Sequence, residues 1–270
     1  MTPLPVVLAR NILQKHKITE CPVPIDFILE KENIKVKYGT LICDGILKKY
    51  DFSYVIEINK NMHTYRQRFT IAHELGNFIL ENDQHENHNS SNENGCATEI
   101  FDNQGEERFC DIFASCLLIP DNALYQFFDP EVFSVKNLIK TAHKWRVSIT
   151  AFLWRLFETS PFEGGAIWFK WMGKPTDSNK LKLRLDRGMF PKTSGLYLPR
   201  YDAVSKNSSI YQVTINGNEH VYENIRLNFG NLIGAKRVIT KSVGSTVLAI
   251  IFYPEVRIKK EEVGKVKLLG

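Results

Sequence analysis

No apolar run in this chain approaches the ~18 residues that a membrane span requires, so no transmembrane helix is expected. The cysteines, Cys21, Cys43, Cys96, Cys110 and Cys116, are five in number and include no CxxC pair. An odd count without such spacing suits reduced thiols better than a disulfide framework. Charge of one sign is also modest: a net charge of +5 and a pI near 8.8 permit nucleic-acid contact without requiring it. The opening segment, MTPLPVVLARNILQKHK, places its apolar residues ahead of its basic ones, the reverse of a secretory signal. A cytoplasmic location is expected. No internal repeat is found.

What is present is the composition of an ordinary globular protein. With 43% hydrophobic and 24% charged residues, a disordered or fibrous chain is excluded. Single cores rarely grow beyond roughly 250 residues, so a chain of 270 calls for a boundary.

Residues 5–17 and 23–32 have helix-like apolar spacing. Ile34, Val36 and Tyr38 alternate with lysines, and 54–58 is a second strand-like run; the Asp44-Gly45 turn signal lies between them, which predicts a small sheet. At 66–81, RQRFTIAHELGNFILE, the period becomes helical, with Phe69, Ala72, Leu75, Gly76 and Ile79 on one side. Residues 82–105 are polar and read as a long loop or lid. EERFCDIFASCLLIP is a further helix, stopped at Pro120, and Asp121 can cap the next one. Two more helical segments fill 134–158, joined at Arg146-Val147. The texture changes at 160–165, SPFEGG, which predicts a domain boundary. Strands are expected beyond it at 166–171, 181–185, 209–215 and 246–253, with one helix over 222–235.

The chemistry is concentrated in the 66–81 helix. His73 and Glu74 are adjacent, and residue 77 is one turn beyond His73 on the same face. In an HExxH arrangement that spacing places two imidazoles on a zinc ion and a glutamate beside the metal-bound water. Here the second position is Asn77, whose neutral amide oxygen is a poor zinc ligand. A solvated His-Glu pair on a surface helix is the plainer reading, but apolar neighbours make a charge there costly without a partner.

The run INKNMHTYRQRFTIAHELGNFILE, followed by EERFCDIFASCLLIP, resembles the ImmA/IrrE family of metallopeptidases. That family pairs RFT-AHELGH with a later E-x-x-A-[ND]-x-FA-x-LL-x-P block, and WRVSITAFLWRL is similar to its "VS…RL" segment. The resemblance covers about the first 158 residues. It implies zinc, with His73 as first ligand, Asn77 at the second ligand position, Glu107 as acidic third ligand and Glu74 as general base. Glu107 would otherwise be a solvated residue at a helix start. Cys110 stands where the family usually has alanine; it and Asp111 read as a core thiol and a structural carboxylate. Arg66 and Arg68 are expected to anchor the helix to carboxylates or carbonyls. His85, His88 and Cys96 are rival donors for the missing imidazole. The family implies cleavage of a protein substrate, such as a helix-turn-helix repressor or antitoxin, in stress or phage-defence responses.

The fold class expected is α+β. A zincin-like metallopeptidase domain with a small sheet and several helices occupies 1–158. A β-rich domain, GAF-like or of another sensory or interaction type, occupies 163–270. Three functions remain open: a regulatory zinc endopeptidase weakened at Asn77, a pseudo-peptidase that sequesters a regulator, and a direct DNA-binding regulator acting through 134–158. The last would use Lys136, Lys140, Lys144, Arg146 and Arg155, although Trp145, Phe152, Trp154 and Leu156 point to packing instead. An asparagine introduced to inactivate a normal site would give the same sequence. No membrane partner is expected.

Overall fold

The computed structural model describes residues 2–50, 53–89, 103–127, 133–159, 164–174, 176–190, 200–216, 218–229 and 232–252. Cys96, Tyr197, residues 160–163 and the basic tail at 257–267 lie outside them. The chain divides into two compact units, Met1–Asp129 with Lys140–Arg155 and Pro130–Ile139 with Leu156–Gly270. Among the described residues no helix is long and apolar enough to cross a membrane.

The first unit begins with α1 (Leu4–Lys15) and α2 (Ile25–Lys31), followed by β1 (Ile34–Gly39), β2 (Gly45–Tyr50) and β3 (Ser53–Asn59). The strands form one sheet in the order β1-β3-β2. β1 runs parallel to β3, and β2 pairs antiparallel with β3 at the edge. This corrects the two-strand expectation. Residues 45–50 are a strand in their own right, hidden in the sequence because Lys48 and Lys49 interrupt the alternation after Ile46. One face of the sheet packs on the long helix α3 (Thr64–Asn89). At Gly45 the packing is close: a Cβ there would lie 2.5 Å from Thr70 Cγ2 and 3.0 Å from Ile58 Cδ1.

α3 continues eight residues past the expected end, so 82–89 is helical rather than loop. At 1.5 Å rise per residue, His85 lies roughly 18 Å along the axis from His73. His85 and His88 stand eight and eleven residues beyond position 77 on the same helix.

α4 (Asn103–Leu118) packs along α3, and α5 (Asp121–Phe127) follows Pro120. Asp121 opens α5, but its carboxylate accepts from Arg10 Nε at 3.1 Å and pairs with Arg155. Arg66 and Arg68 behave as expected, the first donating to the Asp44 carboxylate and the second to the Val23 carbonyl.

α6 (Val135–Lys144) and α7 (Ile149–Thr159) are joined through Arg146, whose φ is +58°. Trp145 and Phe152 are buried, their rings tilted at 47° with centroids 5.2 Å apart, and Phe127 is edge-on to Phe152 at 5.1 Å. The buried Arg155 faces Asp121. Arg155, Trp145 and Phe152 thus serve the interior.

The second unit carries an antiparallel sheet of β4 (Gly164–Lys174), β5 (Asp177–Met189), β6 (His220–Phe229), β7 (Leu232–Val243) and β8 (Thr246–Phe252). Its order is β5-β4-β8-β7-β6. Ile167, Phe169, Leu183, Leu185, Val247 and Ala249 build a core with Ile210 and Val213 of α8 (Ser209–Asn216).

Two expectations are corrected in this unit. Residues 209–216 are a helix, because the Ser208 hydroxyl accepts the Tyr211 N–H at 3.2 Å and the i, i+3 pair Ile210 and Val213 is buried. The 222–235 segment is not helical but a strand pair, with Phe229 opposite Leu232. Gly230-Asn231, between those partners, is the hairpin signal that marks it in the sequence.

Candidate functional site

The site lies where α3 and α4 cross beneath the edge of the first sheet. Spacing of four on α3 puts residues 73 and 77 on one face, while Glu107, Cys110 and Asp111 share a face of α4. Gly76 lets the helices come together: a Cβ at this position would meet Cys110 Cα at 3.3 Å and Phe113 Cδ1 at 3.2 Å.

His73 Nδ1 lies 3.1 Å from Asp111 Oδ1, and His73 Nε2 lies 3.5 Å from Glu107 Oε2. Because a carboxylate only accepts, Nδ1 carries the proton that faces Asp111. Burial opposes charging the ring. The hydrogen bond to Asp111 and the charges of Glu74, Asp111 and Glu107 outweigh burial, so the His73 pKa lies above the ordinary histidine value.

Glu74 is buried, and among the described residues its carboxylate accepts from two uncharged N–H donors. Its Oε2 accepts the Leu47 backbone N–H at 3.1 Å, from edge strand β2, and the Asn77 Nδ2 at 3.0 Å. Two N–H donors of this kind make a buried carboxylate tolerable. Asn77 is engaged at its other end as well, since Cys110 Sγ donates to Asn77 Oδ1 at 2.9 Å. Burial is the main cause that pushes the Cys110 thiol up to about 12, with the charges of Glu107 and Glu74 adding to it. The group therefore remains a thiol and a donor. A chain of hydrogen bonds runs from the β2 backbone through Glu74 and Asn77 to Cys110.

The sequence-derived residues are thus found together: His73, Glu74, Asn77 and Glu107 lie on two packed helices. Three further residues take part: Asp111 and Cys110, the structural carboxylate and core thiol expected of them, and Leu47. Asp111 bonds the His73 ring, Leu47 supplies a main-chain donor, and Cys110 closes the network. Nothing in the sequence marks Leu47.

Zinc is the metal that the family resemblance implies, and the donors present do not fit it. Among the described residues no three His, Cys, Asp or Glu side chains are grouped to hold a metal ion. The oxygen of Asn77, already a weak ligand, accepts the Cys110 thiol, and His73 and Glu107 make a pair rather than a set of three.

Residues 30–157 match the Peptidase_M78 family model, described as the IrrE N-terminal-like domain, and this segment is a domain of that family. No curated protein matches the sequence. Among solved structures, a Mycobacterium tuberculosis transcriptional regulator has a similar fold at 9% identity. The TM-score is 0.50, and the match covers 92% of this chain and 76% of that one.

Proposed function

We propose that this chain is a regulatory protein that uses an IrrE-type peptidase fold to hold a protein partner without cutting it. The observation that supports this reading is the double engagement of Asn77, on Glu74 at one end and Cys110 at the other. It leaves the site with a two-donor His73–Glu107 pair and with a glutamate whose carboxylate is already bonded to an amide. The partner surface is the neighbouring edge of the first sheet. β2 pairs only with β3 among the described residues, and Ile46 and Tyr50 on it are exposed. An extended segment can add to such an edge. The partner class, a helix-turn-helix repressor or antitoxin in a stress or phage-defence response, follows from the family resemblance.

A second reading, a zinc endopeptidase with Glu74 as its base, draws support from the His73 ring held between Asp111 and Glu107. One experiment separates them. The full chain and its Glu74→Gln variant are incubated with the product of the neighbouring gene, with zinc or with a chelator. The proposal expects a complex with an intact partner in every arm. Cleavage by the native chain that Glu74→Gln abolishes would overturn it in favour of the endopeptidase.

A further inference from the structure

Asn77 is not an isolated loss. The Cys110 sulfur sits 2.9 Å from Asn77 Oδ1, a distance that only a hydrogen-bond acceptor tolerates. Non-bonded ring atoms need roughly 3.5 Å or more from such a neighbour. Cys110 is fully buried, so its side chain has no solvent to turn into. Nor can the helices move apart at little cost, because Gly76 already brings α3 against Cys110 Cα and Phe113. An imidazole at position 77 would carry ring atoms where the amide oxygen now is, and two more beyond it. The sulfur stands in their way.

We infer that positions 77 and 110 form a coupled pair, an amide and a thiol that lock α3 to α4, and that restoring a histidine at 77 creates a zinc site only when the Cys110 sulfur is removed as well. The inference rests on the reading above that the native chain does not hold zinc. It changes what a rescue experiment must contain. Asn77→His takes away the acceptor oxygen of the thiol and, in the conformation that Asn77 has, places the ring in space the Cys110 sulfur occupies. Asn77→His with Cys110→Ala clears that space and brings His73, the new imidazole and Glu107 to three donors.

The test compares the full-length native chain, Asn77→His, Cys110→Ala and the double variant. Each is stripped with a chelator, reconstituted with zinc or cobalt(II), and analysed for metal content and visible absorption. The double variant is expected to hold about one zinc per chain and to give a tetrahedral cobalt spectrum. The native chain and both single variants are expected to hold substoichiometric metal. Zinc bound equally well by Asn77→His alone overturns the coupling while leaving the proposed function in place; zinc held by the native chain overturns both. A double variant that folds and binds no zinc also overturns the coupling.

Melting temperatures in chelator give a second, metal-independent readout. Cys110→Ala is expected to lower the melting temperature of the native chain and to raise that of Asn77→His. Lowering in both backgrounds would show that the two positions act separately.

Discussion

Arg155 of α7 and Asp121 of α5 form an ion pair almost wholly out of water, with side-chain exposures of 3% and 12%. Removing one member of a buried ion pair costs more than the pair contributes. Asp121→Ala should therefore lower stability by about 3 kcal/mol. Arg10 shares the same carboxylate but is half exposed, so Arg10→Ala should cost on the order of 1 kcal/mol or less. Denaturant or thermal unfolding of both variants checks the difference. Equal losses would show that the buried member is not the dominant one.

Asn77→Ala deprives two neighbours at once. Glu74 keeps only the Leu47 N–H, and the buried Cys110 thiol loses its acceptor. The loss should be about 2 kcal/mol, in line with leaving buried polar groups unpaired. A loss within a few tenths of a kcal/mol of zero would mean that water takes over both bonds.

Glu32 gives a pH dependence away from the site. Burial works to raise its pKa, but Lys15 Nζ and His16 Nε2, each 2.7 Å from Oε1, more than offset it and hold the carboxyl below the usual range. A lowered folded pKa means stability that is fully present above the unfolded carboxylate value of ~4.3 and lost as pH falls through the folded value. Glu32→Gln should cost on the order of 1 kcal/mol at neutral pH, because Lys15 is largely exposed and screened. Stability of native and variant measured from pH 7 downward should converge in acid. A gap that persists at the lowest pH contradicts the assignment.

Thiol reactivity should follow burial. Cys43 is exposed, whereas Cys110 and Cys116 are buried. Burial also pushes Cys21 up to about 11, with nearby Arg68 acting weakly in the other direction. Among the four described cysteines, iodoacetamide at neutral pH should label Cys43 first and leave Cys110 untouched until the chain unfolds. Peptide mapping by mass spectrometry reads the order directly.

Much of the catalytic-type constellation was legible in the sequence because helical spacing is strict. His73 and Asn77 could only share a face of α3, and Glu107 could only be a turn away from Cys110 and Asp111. What could not be read was which atoms bond which. The occupation of Asn77 depends on how closely α4 approaches at Gly76, a tertiary fact. The errors in the fold have a similar origin. The 209–216 segment is rich in β-branched residues but is held helical by Ser208 and by the burial of Ile210 and Val213. The 222–235 segment has apolar residues that can be spaced as on a helix, but Gly230-Asn231 breaks it and its two halves pair as strands. β2 is hard to read from the sequence because Lys48 and Lys49 blur its alternation, and with it the parallel placement of β1 beside β3.

The hydrogen bond from Leu47 to Glu74 bears on how that sheet edge can be extended. An edge strand offers outward N–H and C=O groups in alternation to whatever is laid beside it. On β2 one of these donors is already turned to a side chain of α3. A strand added there finds a gap in the ladder at Leu47, and must either bulge past it or draw the N–H away from Glu74. The second course would leave the carboxylate bonded to Asn77 alone, so the arrival of a bound segment would be felt inside the helix pair.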